Sequence, residues 1–172
     1  MSAFDAFYDL SNFVNLQSEA ISDICDAIID QTDCEDDKRL AALLAYYVYN
    51  VGSASALDVE KSGSTFTVHS EEYLVLTDEE ADKACAENIK DSVWAFSSDF
   101  LASETGTYAN VFKALSELHE RGNNAILSLI EGSCGIDKFI EDAIAADGRG
   151  HFLASYDGKE NEYKGYFIYR VN

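Results

Sequence analysis

Residues 56–81 read ALDVEKSGSTFTVHSEEYLVLTDEEA, and the fold class turns on this stretch. Ala56–Lys61 and Thr65–His69 flank Ser62, Gly63 and Ser64, the pattern of two strands joined by a short glycine-containing loop. Tyr73–Leu76 is a third apolar run of strand length. Thr77 stands three residues before Glu80, and a hydroxyl and a carboxylate at that spacing each hold the other's backbone N–H. A helix therefore starts here and runs to about Phe96, with Ala81, Cys85, Ile89, Val93 and Phe96 on its inner side. Strand and helix periods within one short segment predict an α+β fold.

Toward the N-terminus the period is helical. Residues 3–16 carry Phe4, Phe7, Tyr8, Phe13 and Val14 in a ragged helical pattern. In residues 17–33, Ile21, Ile24, Cys25, Ile28 and Ile29 recur at three and four, which makes one apolar stripe. A further helix runs from about Glu35 to Asn50, with Leu40, Leu43, Leu44, Tyr47 and Val51 as its core face. Asp36 and Asp37 suit its positive N-terminal end.

Toward the C-terminus Gly106 punctuates, and Tyr108, Val111, Phe112, Leu115 and Leu118 mark a helix closed near Gly122. Asn123–Glu131 and Ile136–Ala146 read as two shorter helices. His151–Tyr156, a turn at Asp157-Gly158 and Tyr163–Val171 predict a terminal hairpin buried on one face. The expectation is one mainly helical α+β domain over residues 1–172, with a helical part (1–52) and a mixed part (53–172). Its small antiparallel sheet would combine the central and C-terminal hairpins.

Charge is the outlier. The 172 residues hold 32 acids and 12 bases, a formal charge of −20. Such a chain repels nucleic acid and anionic membrane surfaces and attracts basic proteins, with an attraction that weakens in salt. No stretch approaches the length of a membrane span, and the early acids of MSAFDAFYDL do not suit a signal or transit peptide. Cys25, Cys34, Cys85 and Cys134 show no metal spacing and read as reduced thiols in a cytoplasm.

The acids are not spread evenly. Glu19, Asp23, Asp26, Asp30 and Asp33 are spaced by four, three, four and three residues, opposite the isoleucine stripe. At about 1.5 Å rise per residue they make a line roughly 21 Å long. No Lys or Arg lies between Met1 and Asp37 to relieve them. Asp36 and Asp37 continue the row, and Glu71, Glu72, Asp78, Glu79, Glu80 and Asp82 form a second cluster around the central capping box. These thirteen carboxylates are the candidate surface for a basic partner.

Other chemistry is thinner. The run from Asp157 to Glu162 superficially follows a calcium loop, but Lys159 occupies a ligand position. His69, His119 and His151 are widely spaced, so neither a metal nor a cofactor is called for. Gly148-Arg149-Gly150-His151 precedes the expected strand and offers Arg149 and His151 as a site for a phosphate-containing small molecule. Tyr46, Tyr47, Tyr49, Tyr163, Tyr166 and Tyr169 offer either contact area for a partner or half-buried core.

Two sets of segments carry a resemblance. One is Glu72-Tyr-Leu-Val-Leu-Thr-Asp-Glu-Glu-Ala-Asp82 leading to Asp91-Ser-Val-Trp-Ala-Phe96. The other is Ala146-Asp-Gly-Arg-Gly-His-Phe-Leu-Ala-Ser-Tyr-Asp-Gly158 ending in Tyr169-Arg-Val-Asn172. Together they resemble small acidic proteins of unknown role encoded by tailed bacteriophages and related mobile elements, and the likeness leaves out the first fifty residues. That group supplies no catalytic residue to carry over. The resemblance implies a host-defence antagonist of anti-restriction or anti-CRISPR type, acting in the host cytoplasm as a DNA mimic. The expected activity is therefore non-enzymatic inhibition of a basic, nucleic-acid-handling complex. The alternative is a regulatory or oligomeric phage protein that binds through an aromatic surface.

Overall fold

The structure, a computed structural model, describes residues 18–51 and 59–172. The expected helix over 3–16 and the start of the first strand at 56–58 lie outside the described residues. The fold is α+β and mainly helical, with one five-stranded antiparallel sheet. The described residues form two compact units. One holds the residues up to Ala81 together with Leu153–Asn172, and the other is Asp82–Phe152.

The first unit opens with α1 (Ser18–Gln31) and α2 (Glu35–Val51). Ile21, Cys25, Ile28 and Ile29 turn toward the core, as the stripe predicts. On α2 the burial goes further than a single face: Leu40 through Ala45, Tyr47 and Val48 are all buried. The run LAALLAYYV is apolar nearly all round, and such a helix needs cover on more than one side. Helix α1 supplies one cover and the sheet supplies another.

The sheet contains β1 (Val59–Ser62), β2 (Thr65–Val68), β3 (Glu71–Thr77), β4 (Asn161–Tyr163) and β5 (Tyr166–Arg170), in the order β1-β2-β3-β5-β4. Each hairpin closes over two residues: Gly63-Ser64, His69-Ser70 and Lys164-Gly165. Lys164 and Gly165 both have positive φ (49° and 81°), which matches a turn twisted like the strands that it joins. Phe66 pairs with Tyr73 across β2 and β3, and Val75 pairs with Ile168 across β3 and β5. Their buried sides meet α2 in one core.

The C-terminal reading needs correction. His151–Tyr156 is not a strand. Arg149–Leu153 forms the short helix α8, and residues 155–157 turn. The terminal hairpin instead turns at Lys164-Gly165, because β5 pairs with β4 on one side and with β3 on the other. Asp157 serves a local purpose, its Oδ1 accepting the Lys159 N–H at 3.0 Å.

The capping box forms as expected. Helix α3 (Asp78–Ser92) begins after Thr77, whose N–H donates to Glu80 Oε2 at 2.9 Å. It ends at Ser92, short of Phe96, and passes into a 3₁₀ turn over Val93–Ala95. The second unit then contains α4 (Ser98–Thr105), α5 (Ala109–Ser116), α6 (Asn123–Ser133), α7 (Ile136–Asp147) and α8. Helix α4 is an element that the periodicity does not predict, although its Ser97 cap and its closing Gly106 both stand in the sequence. The helix expected to close near Gly122 stops at Ser116, and a 3₁₀ turn, His119–Gly122, completes the segment. Gly122 is obligatory there: a Cβ would stand 2.1 Å from the Leu115 carbonyl oxygen. Next to it, Asn123 accepts the Trp94 N–H and donates to the Lys90 carbonyl, which closes the end of α3.

One buried cation ties the first unit together. The Arg39 side chain is only 6% exposed. Its Nη1 donates to Ser64 Oγ (3.0 Å) and to the Val75 carbonyl (2.9 Å), and its Nη2 donates to Glu80 Oε1 (2.8 Å). One guanidinium thereby fastens α2 to the first hairpin turn, to β3 and to the start of α3. Removing one partner of such a group strands the other polar atoms, so Arg39→Met should cost about 3 kcal/mol in urea unfolding. An unchanged midpoint would show that this network is ornamental.

Candidate functional site

The expected acidic surface divides into several parts. On α1, Glu19 is a backbone position of the helix, while Asp23 is exposed and Asp26 and Asp30 follow. Asp33 lies beyond the end of the helix at Gln31, in the connection to α2, so the row is one residue shorter on the helix than its spacing suggested. Asp33 remains exposed there.

Two members of the row hold the C-terminal hairpin. The Tyr163 hydroxyl donates to Asp26 Oδ1 at 2.7 Å and lies 2.9 Å from Ser22 Oγ. Lys164 Nζ reaches Asp26 Oδ2 at 3.3 Å and Asp30 Oδ2 at 3.4 Å. Burial and then the bond to Asp26 push the Tyr163 hydroxyl above its ordinary pKa. Asp26 is thus part of the fold, whereas Asp30 keeps 66% of its side chain exposed. Nothing in the helical spacing separates these two roles. The signal was the lone lysine at the tip of the hairpin.

The remaining acids follow the same logic. Asp36 pairs with Lys61 at the surface, with half of its side chain still exposed. Asp37 is buried and so leaves the candidate surface. Glu71 holds Arg170 at 2.7 Å and accepts the Tyr73 hydroxyl at 2.7 Å. Arg170 in turn sits 3.7 Å from the centre of the Tyr156 ring. Glu72 is partly buried, and its N–H donates to Asn172 Oδ1 at 2.7 Å. Asp78 and Glu79 are exposed in the first turn of α3. Glu80 is committed to Arg39 and Thr77, and Asp82, in the second unit, is paired with Arg149 at 2.8 Å. Half of the second cluster is therefore structural, since the Glu71, Glu80 and Asp82 carboxylates hold hydroxyls or bases.

The aromatic alternative has less surface than expected. Tyr47, Tyr166 and Tyr169 are buried, and Tyr46 and Tyr163 pack against the core. Burial, then the bond to Glu35, pushes the Tyr166 hydroxyl up to about 12. Tyr108 and Tyr156, neither of them expected, are the strongly exposed tyrosines among the described residues. Arg149 and His151 also part company: the arginine is turned to Asp82 with 12% of its side chain exposed, while His151 is exposed. Cys25 and Cys85 are buried as small apolar groups, and burial followed by the Asp26 charge raises the Cys25 thiol to about 12. No helix among the described residues is long and apolar enough to cross a membrane.

The division of labour on α1 is testable. Asp26→Asn should cost about 1 kcal/mol of unfolding free energy, because the bonds to Tyr163 and Lys164 weaken. Asp23→Asn should leave stability unchanged or raise it by about 0.2–0.5 kcal/mol, by relieving like charges one turn apart. Equal effects in thermal melts would contradict the assignment. Glu80 adds a pH signature: the Arg39 guanidinium holds its carboxyl near pKa 2, against an ordinary 4.5. A lowered carboxylate stabilises above its ordinary pKa and loses that contribution as pH falls through the folded value. The stability gap between the natural chain and Glu80→Gln should therefore shrink between pH 4.5 and 2, as read by denaturant midpoints.

Compared with protein-family models, with curated proteins and with solved structures, the chain finds no match.

Proposed function

We propose that this chain is a non-catalytic inhibitor that docks on a basic, nucleic-acid-handling protein complex. The outer side of α1 and the turn into α2 are its contact surface. The observation that carries this reading is the imbalance of residues 18–37, which hold eight acids and no base. Pairing within the fold does not exhaust it. Asp23 and Asp33 are exposed, and Asp30, Glu35 and Asp36 keep between 45% and 66% of their side chains accessible. The ion pairs at Lys61 and Lys164 are of the exposed kind, worth about 0–1 kcal/mol, so a stronger cationic partner can displace them.

A row of like charges costs stability in the free protein, and a basic partner would return that cost on binding. Asp37, Glu71, Glu80 and Asp82 are set aside because each already serves the fold. The likeness to phage and mobile-element proteins makes a restriction or CRISPR nuclease the proposed class of target, with competition against DNA as the mechanism.

The test is inhibition of DNA binding by a panel of purified restriction and CRISPR nucleases. At least one should be inhibited, and the inhibition should weaken at least tenfold between about 50 and 500 mM salt. Asp23→Lys combined with Asp33→Lys should abolish it while the thermal melt is preserved. A double variant that inhibits as well as the natural chain rules out this surface.

A further inference from the structure

The run Asp147-Gly148-Arg149-Gly150-His151, which the acidic surface does not use, borders a cleft in the second unit. Gly148 adopts φ 78° and ψ 155°, donates its N–H to the Ile144 carbonyl at 2.8 Å and stops α7. The chain restarts at once as α8, so Asp147 ends one helix and His151 lies on the next. On the opposite side, Ser97 caps α4 and Phe96 leaves the 3₁₀ turn with an extended backbone. Between these breaks lies a cleft of about 430 Å³, within the size range of small-ligand sites.

Its wall is aromatic. The Phe96 and Phe152 rings are nearly parallel, at 14° and 5.9 Å between centroids, and Phe100 stands 5.9 Å from Phe96. Behind them Phe139, only 1% exposed, contacts Phe96 and Phe100 at 5.6 and 5.7 Å, which backs the wall with packed core. The polar residues of the lining include Asp147, His151 and Asn88. Among the described residues that line the cleft there is no lysine or arginine.

These features select by charge. Aromatic faces are electronegative at their centres and attract cations. Asp147 adds a formal negative charge, so a phosphate or carboxylate ligand is repelled. Arg149, the cation that an anion site at this run would need, is instead directed to Asp82 at 2.8 Å. A flat cation satisfies both parts of the lining at once. A guanidinium stacks on a phenylalanine face and presents a donor fork matched to a carboxylate. We propose that this cleft binds a guanidinium group, with Asp147 as its counter-ion and the Phe96–Phe152 wall as its stacking surface. The group belongs either to a free small molecule or to an arginine side chain. The proposal concerns residues distinct from the acid row of α1 and does not depend on the inhibitor reading.

The full chain, labelled with ¹⁵N, is titrated with N-ethylguanidinium and, as a neutral isostere, N-ethylurea. The guanidinium should shift the amide signals of Ala95, Phe96, Asp147, His151 and Phe152, and the urea should not. Asp147→Asn should weaken binding about tenfold with an unchanged melt, because Asp147 is exposed at a helix end. Phe152→Leu keeps apolar bulk but removes the ring, and should weaken binding as well. Shifts spread over the acidic residues of the whole chain, equal binding of the urea, or an unaltered affinity of Asp147→Asn would each overturn the proposal. N-acetyl-arginine-methylamide distinguishes the sources. Binding as tight as that of ethylguanidinium supports an arginine side chain, and binding by ethylguanidinium alone supports a free small molecule.

Discussion

The first unit depends on a single guanidinium that has been taken out of water. Burying Arg39 is costly, and the fold offsets the cost by giving its donors acceptors from three separate elements. Glu80 is the acceptor that makes this possible. The same carboxylate that caps α3 through Thr77 also neutralises Arg39, so helix start and core anchoring are one event. Glu35 approaches from one turn earlier on α2, 3.6 Å from the guanidinium, and also bonds the Tyr166 hydroxyl. The strand that carries Tyr166 is in this way linked to the same polar node.

The scarcity of bases shapes the rest. The chain holds 12 lysines and arginines against 32 acids, and Arg39, Lys61, Lys138, Arg149, Lys164 and Arg170 are engaged in ion pairs. Arg170 organises Glu71, Tyr156 and the C-terminal Asn172, and Lys164 joins the C-terminal hairpin to α1. Among the described residues around α1 and the start of α2, the bases Lys164, Arg39 and Lys61 leave Asp23 and Asp33 unpaired, and exposed acids without an ion pair also stand along the second unit, Glu87, Asp99, Glu120 and Asp137 among them. Charge here acts as a residue left over after the fold has taken its share.

Periodicity made the helices and the central hairpin legible, because their signals are local: the isoleucine stripe, the Gly63 loop and the Thr77–Glu80 box. Pairing between β3 and β5 joins residues nearly a hundred positions apart and leaves no local trace. That is why local sequence does not place the turn of the terminal hairpin. Asp157-Gly158 and Lys164-Gly165 are both acceptable turn sequences, and only the register against β3 chooses between them. The acid row was legible as a pattern but not as a set of roles, since the partners of Asp26 lie more than 130 residues away. For the cleft, Gly148 marked the break between helices, but the assembly of Phe96, Phe100 and Phe152 is a matter of packing.

The position of β5 in the middle of the sheet bears on how the polypeptide is made. Helices α4 to α8 emerge from the ribosome as one uninterrupted stretch, and most of their neighbours are already present as each appears. The sheet is different, because β3 keeps one bare edge until Tyr166–Arg170 has been synthesised. For most of translation, that edge and the apolar side of α2 must wait without their final cover, a state prone to pairing with other nascent chains. Like charge on the elements made first would hold such half-finished chains apart.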